Sequence, residues 1–387
     1  MTKPLNILHL LSWAPTPDNP TLGNFCFRHI SALPDSCRSV VLLVTTGETV
    51  GITQTEEEHY TQVQVSVRYD RCSAIRKWRI WHGYQRGLAY VRQHIFEPNL
   101  VHVHVTYPVG LVALHWHKRY RLPYVITEHW TGYQPQNRAQ LSRTKLTLLK
   151  RITRNAKAIM PVSQDLADNM QRCGLSGHYR VIYNVTDTAL YMLRDSEPHE
   201  RKQILHVSTL RDDAKNFSGI LRVMERLHQQ RNDFVLNVVH DYEAPQFQEY
   251  VKQHGLADTV IFHGRKSAEE LAEMYRHSDF LLLFSNFENL PCVIIEAFAC
   301  GLPVVATRVG GIAEIVNAER GLLVDARDED ALYESTNHLL DHAREYGAED
   351  IRRYAVANFA PEVIGGQIAE VYDKEWRVES GELKTEN

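Results

Sequence analysis

A chain of 387 residues, 44% apolar and 23% charged, is too long for one compact core and points to two globular domains of about 150–200 residues. The composition excludes a disordered or fibrous chain, and the lack of any run of 18 apolar residues argues against a membrane-spanning helix. The net charge of −4 conceals opposite halves: 22 Lys and Arg against 12 Asp and Glu in residues 1–190, then 21 against 35. A basic first half suits an anionic molecule or an anionic membrane surface, and with no binding motif present no nucleic acid is expected. The six cysteines (26, 37, 72, 173, 292 and 300) lack paired spacing, and several lie in apolar runs. They are expected as buried reduced thiols of a cytoplasmic protein.

In chain order, the opening "MTKPLNILHLLSWAP" carries one Lys and a short apolar run, which predicts a buried strand over 6–11 and not a signal peptide. Further strands are predicted at 39–46, 63–69, 100–105, 124–129, 157–163 and 179–184, with helices at 24–33, 77–95, 110–119 and 138–155. The rhythm restarts with strands at 203–210, 234–240, 259–264, 279–285, 302–309 and 321–325. The joint lies near 185–202, where "TDTALYMLRDSEPHERK" lacks periodicity, and the tail "SGELKTEN" is expected to fray. This alternation predicts an α/β protein of two doubly wound, mainly parallel sheets, whose ligands gather beyond the carboxyl ends of the strands.

Several strand ends carry chemistry. Gly23 and Asn24 close a long loop after the first strand, and Glu128 and His129 end the strand "VITEH", facing a cleft. His102 and His104 share one strand face, but no further ligand spacing accompanies them, so neutral buried histidines are expected and no metal. The stretch 71–94 mixes Trp78, Trp81 and Tyr84 with Arg76, Lys77 and Arg79, which suits an anionic lipid headgroup or a lipid-diphosphate sugar. A second basic segment runs from Arg138 to Lys157.

In the second half, "FENLPCVIIEAFACGLPVVATRVGG" places Glu288 in a loop and Glu296 about one and a half turns inside a helix. Asn289 and Leu290 complete the loop, Pro291 suits the helix's first turn, and Gly301 with Pro303 stops it. Helix-start N–H groups favour a phosphate, and a carboxylate accepts paired hydroxyls, so the stretch suits a polyhydroxylated phosphate-bearing ligand. Taken singly, each glutamate also fits a loop acid or an ordinary helix-face residue. Gly310-Gly311 permits close backbone approach to a ligand. Lys215 follows the strand "HVSTL" and can neutralise a diphosphate, or simply sit in solvent. Gly264 ends another strand, beside Arg265 and Lys266, and Ser267 caps the next helix.

The run "ENLPCVIIEAFACGLPVVATRVGGIAEIV", with "HVSTLRDDAKN", "VIFHGRKSAEELAEMYRHSDFLLLFS" and "GLLVDARDEDAL", resembles the family 4 retaining glycosyltransferases and their Glu-x7-Glu motif. The resemblance implies a GT-B fold: residues 1–185 as an acceptor-binding Rossmann-like domain and 186–365 as a nucleotide-sugar domain facing it across an interdomain cleft. Residues 366–387 would form a helix returning to the first domain. It implies donor-sugar contact for Glu288, ribose contact for Glu296, and diphosphate contact for Lys215. His129 would lie near the reacting sugar, and the Gly23-Asn24 loop near phosphate and acceptor. Where the family usually shows Gly-Arg this chain has Ser208-Thr209, so Arg211, Arg265 or Lys266 would supply the second cation. The expected substrates are a UDP- or GDP-linked sugar and a glycan or lipid-linked acceptor in cell-surface polysaccharide synthesis, with no cofactor or metal. A GT-B phosphorylase, a nucleotide-sugar epimerase and a catalytically silent sugar-nucleotide-binding protein are the alternatives. The expected location is the cytoplasm, with peripheral attachment to the inner face of the membrane.

Overall fold

The computed structural model describes residues 4–16, 19, 21–194 and 200–380, so the polar tail from 381 and the middle of the joint at 195–199 lie outside the described residues. The chain divides into two compact units, Met1–Asn184 with Pro361–Asn387, and Val185–Ala360.

The first unit holds β1 (Leu5–Leu11), α1 (Asn24–Ser31), β2 (Cys37–Gly47), β3 (Gly51–Glu56), β4 (Thr61–Arg68), α2 (Ser73–His94), β5 (Leu100–His104), α3 (Gly110–Tyr120), β6 (Tyr124–Glu128), α4 (Arg143–Asn155), β7 (Ile159–Pro161) and α5 (Gln164–Arg172). Its sheet runs β3-β4-β2-β1-β5-β6-β7, parallel except for β3. Strands β5 and β6 are buried at every residue, as apolar runs covered on both faces should be. The sequence reading misses β3, because "GITQTE" is a mostly exposed edge strand without an apolar face. It also predicts a strand over 179–184 that does not form. Tyr179 makes a single bridge to Ile159, since β7 is three residues long and offers no longer ladder. The helix expected over 138–155 begins only at Arg143, where Ser142 accepts a capping bond from the Lys145 amide. None of the six cysteines forms a disulfide, but Cys72 is exposed and Cys173 and Cys292 are half-buried, against the expectation of buried thiols.

The second unit holds β8 (Lys202–Ser208), α6 (Asp212–Lys215), α7 (Phe217–His228), β9 (Phe234–His240), α8 (Pro245–Gln253), β10 (Val260–Gly264), α9 (Ala268–Arg276), β11 (Phe280–Leu283), α10 (Cys292–Ala299), β12 (Val304–Thr307), α11 (Ile312–Ile315), β13 (Gly321–Val324), α12 (Glu329–His342) and α13 (Ala348–Phe359). Its strands are all parallel, in the order β10-β9-β8-β11-β12-β13. The chain winds outward from β8 through β9 to β10, then returns to β8's other edge with β11. That reversal opens a crevice beyond the carboxyl ends of β8 and β11. The last helix, α14 (Pro361–Ser380), belongs to the first unit and packs on α1.

Beneath α14 the first unit buries a cluster of histidines. His9 lies opposite His102 in the β1–β5 register, and His104 follows two residues on. His9 bonds through its two ring nitrogens to His104 Nε2 (3.1 Å) and Ser39 Oγ (3.2 Å). The two nitrogens of His102 meet the hydroxyls of Tyr372 on α14 (2.6 Å) and Thr127 (2.7 Å). One ligand atom from each of the three histidines lies within 4.8 Å of the others. Burial pushes His9 down to about 3 and His29 to about 4, and it holds His102, His104 and His129 well below 6.5.

In the unfolded chain each of these rings titrates near 6.5, so below that pH the unfolded state takes up protons that the fold excludes. Their contribution to stability is complete above pH 6.5 and is lost as the pH falls, by about 2 kcal/mol per ring at pH 5. The urea midpoint is therefore expected to drop sharply between pH 7 and pH 5, before most carboxylates titrate. An unchanged midpoint over that interval refutes neutral burial of the cluster.

Candidate functional site

Lys215 and Glu288 meet at the crevice beyond β8 and β11. Strand β8 ends at Ser208, whose hydroxyl bonds His206 Nε2 (2.7 Å) and accepts the Leu210 amide (3.1 Å). That bond turns the chain through Leu210, at φ 53°, into the one-turn helix α6, which carries Lys215 at its end. The expected solvent loop is thus an ordered turn. Burial and the nearby Lys215 ammonium push His206 down to about 4, so it serves as a neutral linker to Leu282 O (2.9 Å).

From the other strand, the loop 285–291 is fixed at several points. Ser285 Oγ donates to Glu288 Oε1 (2.8 Å), Thr307 Oγ1 donates to Ser285 O (2.7 Å), and the Asn286 amide donates to Ala214 O (2.7 Å). Lys215 Nζ donates to Glu288 Oε1, an ion pair mostly sheltered from solvent. Asn289 and Leu290 are buried, and Pro291 is the cap residue just outside α10, one step earlier than the predicted first turn. Glu296 is buried within α10, and its Oε2 accepts the Tyr275 hydroxyl (3.1 Å) from α9. Burial and the Glu296 charge hold the Tyr275 hydroxyl well above 10, so it remains a donor. Helix α10 carries no acid in its first turn.

Gly310 has a different task from the one expected of it. A Cβ there would meet Glu288 O at 2.0 Å and Asn289 O at 3.0 Å, while Gly311 N donates to Asn289 O (2.7 Å). The close backbone approach is therefore to the protein's own glutamate loop. Gly264 has a similar φ of 64° but open space around it. The proposed second cations are engaged with acids: Arg211 with Asp213 (2.7 Å), Arg265 with Asp241 (3.3 Å) and Lys266 with Glu270 (3.1 Å). Ser267 and Glu270 form the expected capping box.

In the first unit, Gly23 caps α1 at φ 77°, where a Cβ would strike Trp13 O at 2.4 Å, and Asn24 opens the helix. His129 is buried, its ring 4.3 Å from Phe25 and 5.4 Å from His29. Glu128 does not face a cleft. It is fully buried, and its carboxylate accepts bonds from Thr106 N and Oγ1, Tyr133 Oη, and the amides of His129 and Trp130. Trp78 is exposed, whereas Trp81 packs edge-on against His115 and Arg79 is tied to Asp70 and to strand carbonyls. Sequence reading misses Ser285, Thr307 and Tyr275. The first two sit at strand ends where polar residues could have been flagged, but nothing local links Tyr275 to Glu296.

Residues 26–190 match the family described as Glycosyltransferase Family 4, and residues 192–355 match Glycosyl transferases group 1. The chain is 26% identical over 204 residues to N-acetyl-alpha-D-glucosaminyl L-malate synthase of Bacillus anthracis, a match covering 50% of this chain and 53% of that one. It is 30% identical over 193 residues to MMP alpha-(1->4)-mannosyltransferase of Mycolicibacterium hassiacum, covering 49% and 46%. The chain thus spans about half the length of these curated relatives. The fold matches sucrose-phosphate synthase of Thermosynechococcus elongatus at TM-score 0.78 with 20% identity, covering 95% of this chain and 98% of that one. It also matches Anabaena HepE in complex with UDP and glucose, at TM-score 0.73 and 20% identity, over 96% and 100% of the two chains.

Two substitutions separate backbone strain from collision. Gly264→Ala is expected to cost about 1 kcal/mol for its left-handed backbone alone. Gly310→Ala adds the collision with Glu288 O and should lower the urea midpoint several-fold more. Equal losses would show that Gly310 does not support the glutamate loop.

Proposed function

We propose that this chain, which by its two successive family domains and its fold is a glycosyltransferase of the GT-B type, moves a sugar from a UDP- or GDP-linked donor to a hydroxyl acceptor with retention at the anomeric carbon. The observation that carries this reading is the Lys215–Glu288 pair at the strand-order reversal of the second unit. The donor diphosphate takes Lys215 and the positive end of α10, where Asn289, Leu290 and Pro291 form the approach. Glu288, once the phosphate has drawn off its lysine, accepts hydroxyls of the donor sugar. Glu296, steadied by Tyr275, accepts those of the ribose. Arg211, Arg265 and Lys266 lie on flanking loops and serve the outer phosphate or the base, with Gly264 leaving room beside them.

The family resemblance implies front-side attack: no side chain becomes covalently attached, and a departing diphosphate oxygen takes the acceptor proton. Lys215 and the α10 amides stabilise the charge that develops on that diphosphate, in place of a divalent cation. In the first unit, Gly23, Asn24 and His129 belong to the acceptor and sugar side, and His129, neutral when buried, shapes the pocket and supplies no base. The acceptor is a glycan or lipid-linked sugar of a cell-surface polysaccharide.

Lys215→Met and Glu288→Gln should each lower kcat/KM for transfer about 10²–10³-fold while leaving the circular dichroism spectrum unchanged. Product NMR should show the donor's anomeric configuration, and a chelator should leave turnover intact. Full activity in either variant removes that residue from the site. Donor binding without transfer across a broad acceptor panel would favour the catalytically silent alternative, to which Ser208-Thr209 gives some weight.

A further inference from the structure

We propose that the edge of the first unit formed by the carboxyl ends of β2 and β4 and the start of α2 docks on an anionic lipid bilayer, with Trp78 as its apolar anchor. Among the described residues, large exposed apolar side chains are few, and four of them fall within one short stretch: Val50, Tyr69, Ile75 and Trp78, at 51%, 54%, 43% and 61% exposure. The backbone gathers them. Tyr69 N donates to Gly47 O (3.0 Å), Gly51 pairs with Ser66 across the β3–β4 hairpin, and α2 starts at Ser73, just beyond. Ile75 and Trp78 stand three residues apart and share one face of the first turns of α2.

Around this apolar tip basic side chains outnumber the acids Glu48 and Asp70. Residues 68–86 contain Arg68, Arg71, Arg76, Lys77, Arg79 and Arg86 against the single acid Asp70, and Arg79 pairs with Asp70 at 3.3 Å. Arg79 also donates to the carbonyls of Arg68 and Tyr69, and the Arg76 guanidinium lies 5.6 Å over the Tyr69 ring. The hairpin end and α2 are thereby locked into one surface. An aromatic tip ringed by arginine and lysine matches the headgroup layer of an anionic leaflet: indole and phenol settle at the interface, and the cations meet lipid phosphates. No described helix is long and apolar enough to cross a membrane, so this contact would be lateral and reversible. Because Trp81 and Arg79 serve packing, the lipid-facing set is Val50, Tyr69, Ile75, Trp78, Arg71 and Lys77.

The full chain should be cosedimented with vesicles of phosphatidylcholine alone and of phosphatidylcholine with one third phosphatidylglycerol. Retention is expected on the anionic vesicles only, falling at least about tenfold in roughly 0.5 M salt as the charges are screened. Trp78→Ala with Ile75→Ala should weaken it about tenfold, and Arg71→Glu with Lys77→Glu should abolish it. Tyr242→Ala, an exposed aromatic in the second unit, should leave it unchanged. Absence of retention, equal retention on neutral vesicles, or full retention by the charge-reversed variant overturns the proposal. None of these outcomes bears on sugar transfer, which is measured separately.

Discussion

The sheltered ion pair between Lys215 and Glu288 is the constraint on which the second unit's site depends. Its partners stand 73 residues apart and arrive from two adjacent strands, so the pair forms only if β8 and β11 are neighbours in register. Removing two charges from water is costly, and the attraction compensates only where the remaining lone pairs are also satisfied. The Ser285 hydroxyl does this for Glu288, and the Asn286 amide clamps the two loops together at Ala214. Under the proposed function, an incoming anion would replace the carboxylate on Lys215, and sugar hydroxyls would replace the ammonium on Glu288.

The first unit solves a related problem with a different outcome. Glu128 also ends a parallel strand, but its carboxylate accepts five hydrogen bonds from neighbouring loops and is fully buried. It is a structural anchor that fixes the turn carrying His129 and Trp130. Glu128, the last residue of β6, is saturated by its own chain, whereas Glu288, in the loop beyond β11, is paired with Lys215. In the histidine cluster burial holds His102 well below 6.5, while its bonds to Tyr372 and Thr127 seat α14 on the sheet.

How much of this was legible beforehand depended on the range of each interaction. The parallel strands announced themselves as apolar runs, and the α10 helix as Pro291 at one end and Gly301 at the other. The edge strand β3 gives no such signal, because one polar exposed face leaves no pattern, and the segment 179–184 reads as a strand although it makes only the one bridge, Tyr179 to Ile159, on the three-residue β7. Lys215, Glu288 and Glu296 stand out by their places after strands and inside the helix, although each taken singly also fits a structural role. The Tyr275 contact could not, because it depends on how α9 packs against α10. Gly310 was noticed for the right conformational freedom and assigned the wrong neighbour, since a sequence reports that close approach is possible but not what approaches.

The two glutamates around α10 are not interchangeable acids. A pair that shared one proton across a scissile bond would need similar access and opposed pKa values. Glu288 sits on the loop beside a lysine, whereas Glu296 lies inside the helix against a phenol that cannot give up its proton near neutral pH. Glu288 accepts from a lysine ammonium and Glu296 from a tyrosine hydroxyl. The apolar helix between them, buried from Ile294 to Ala299, keeps that difference in place.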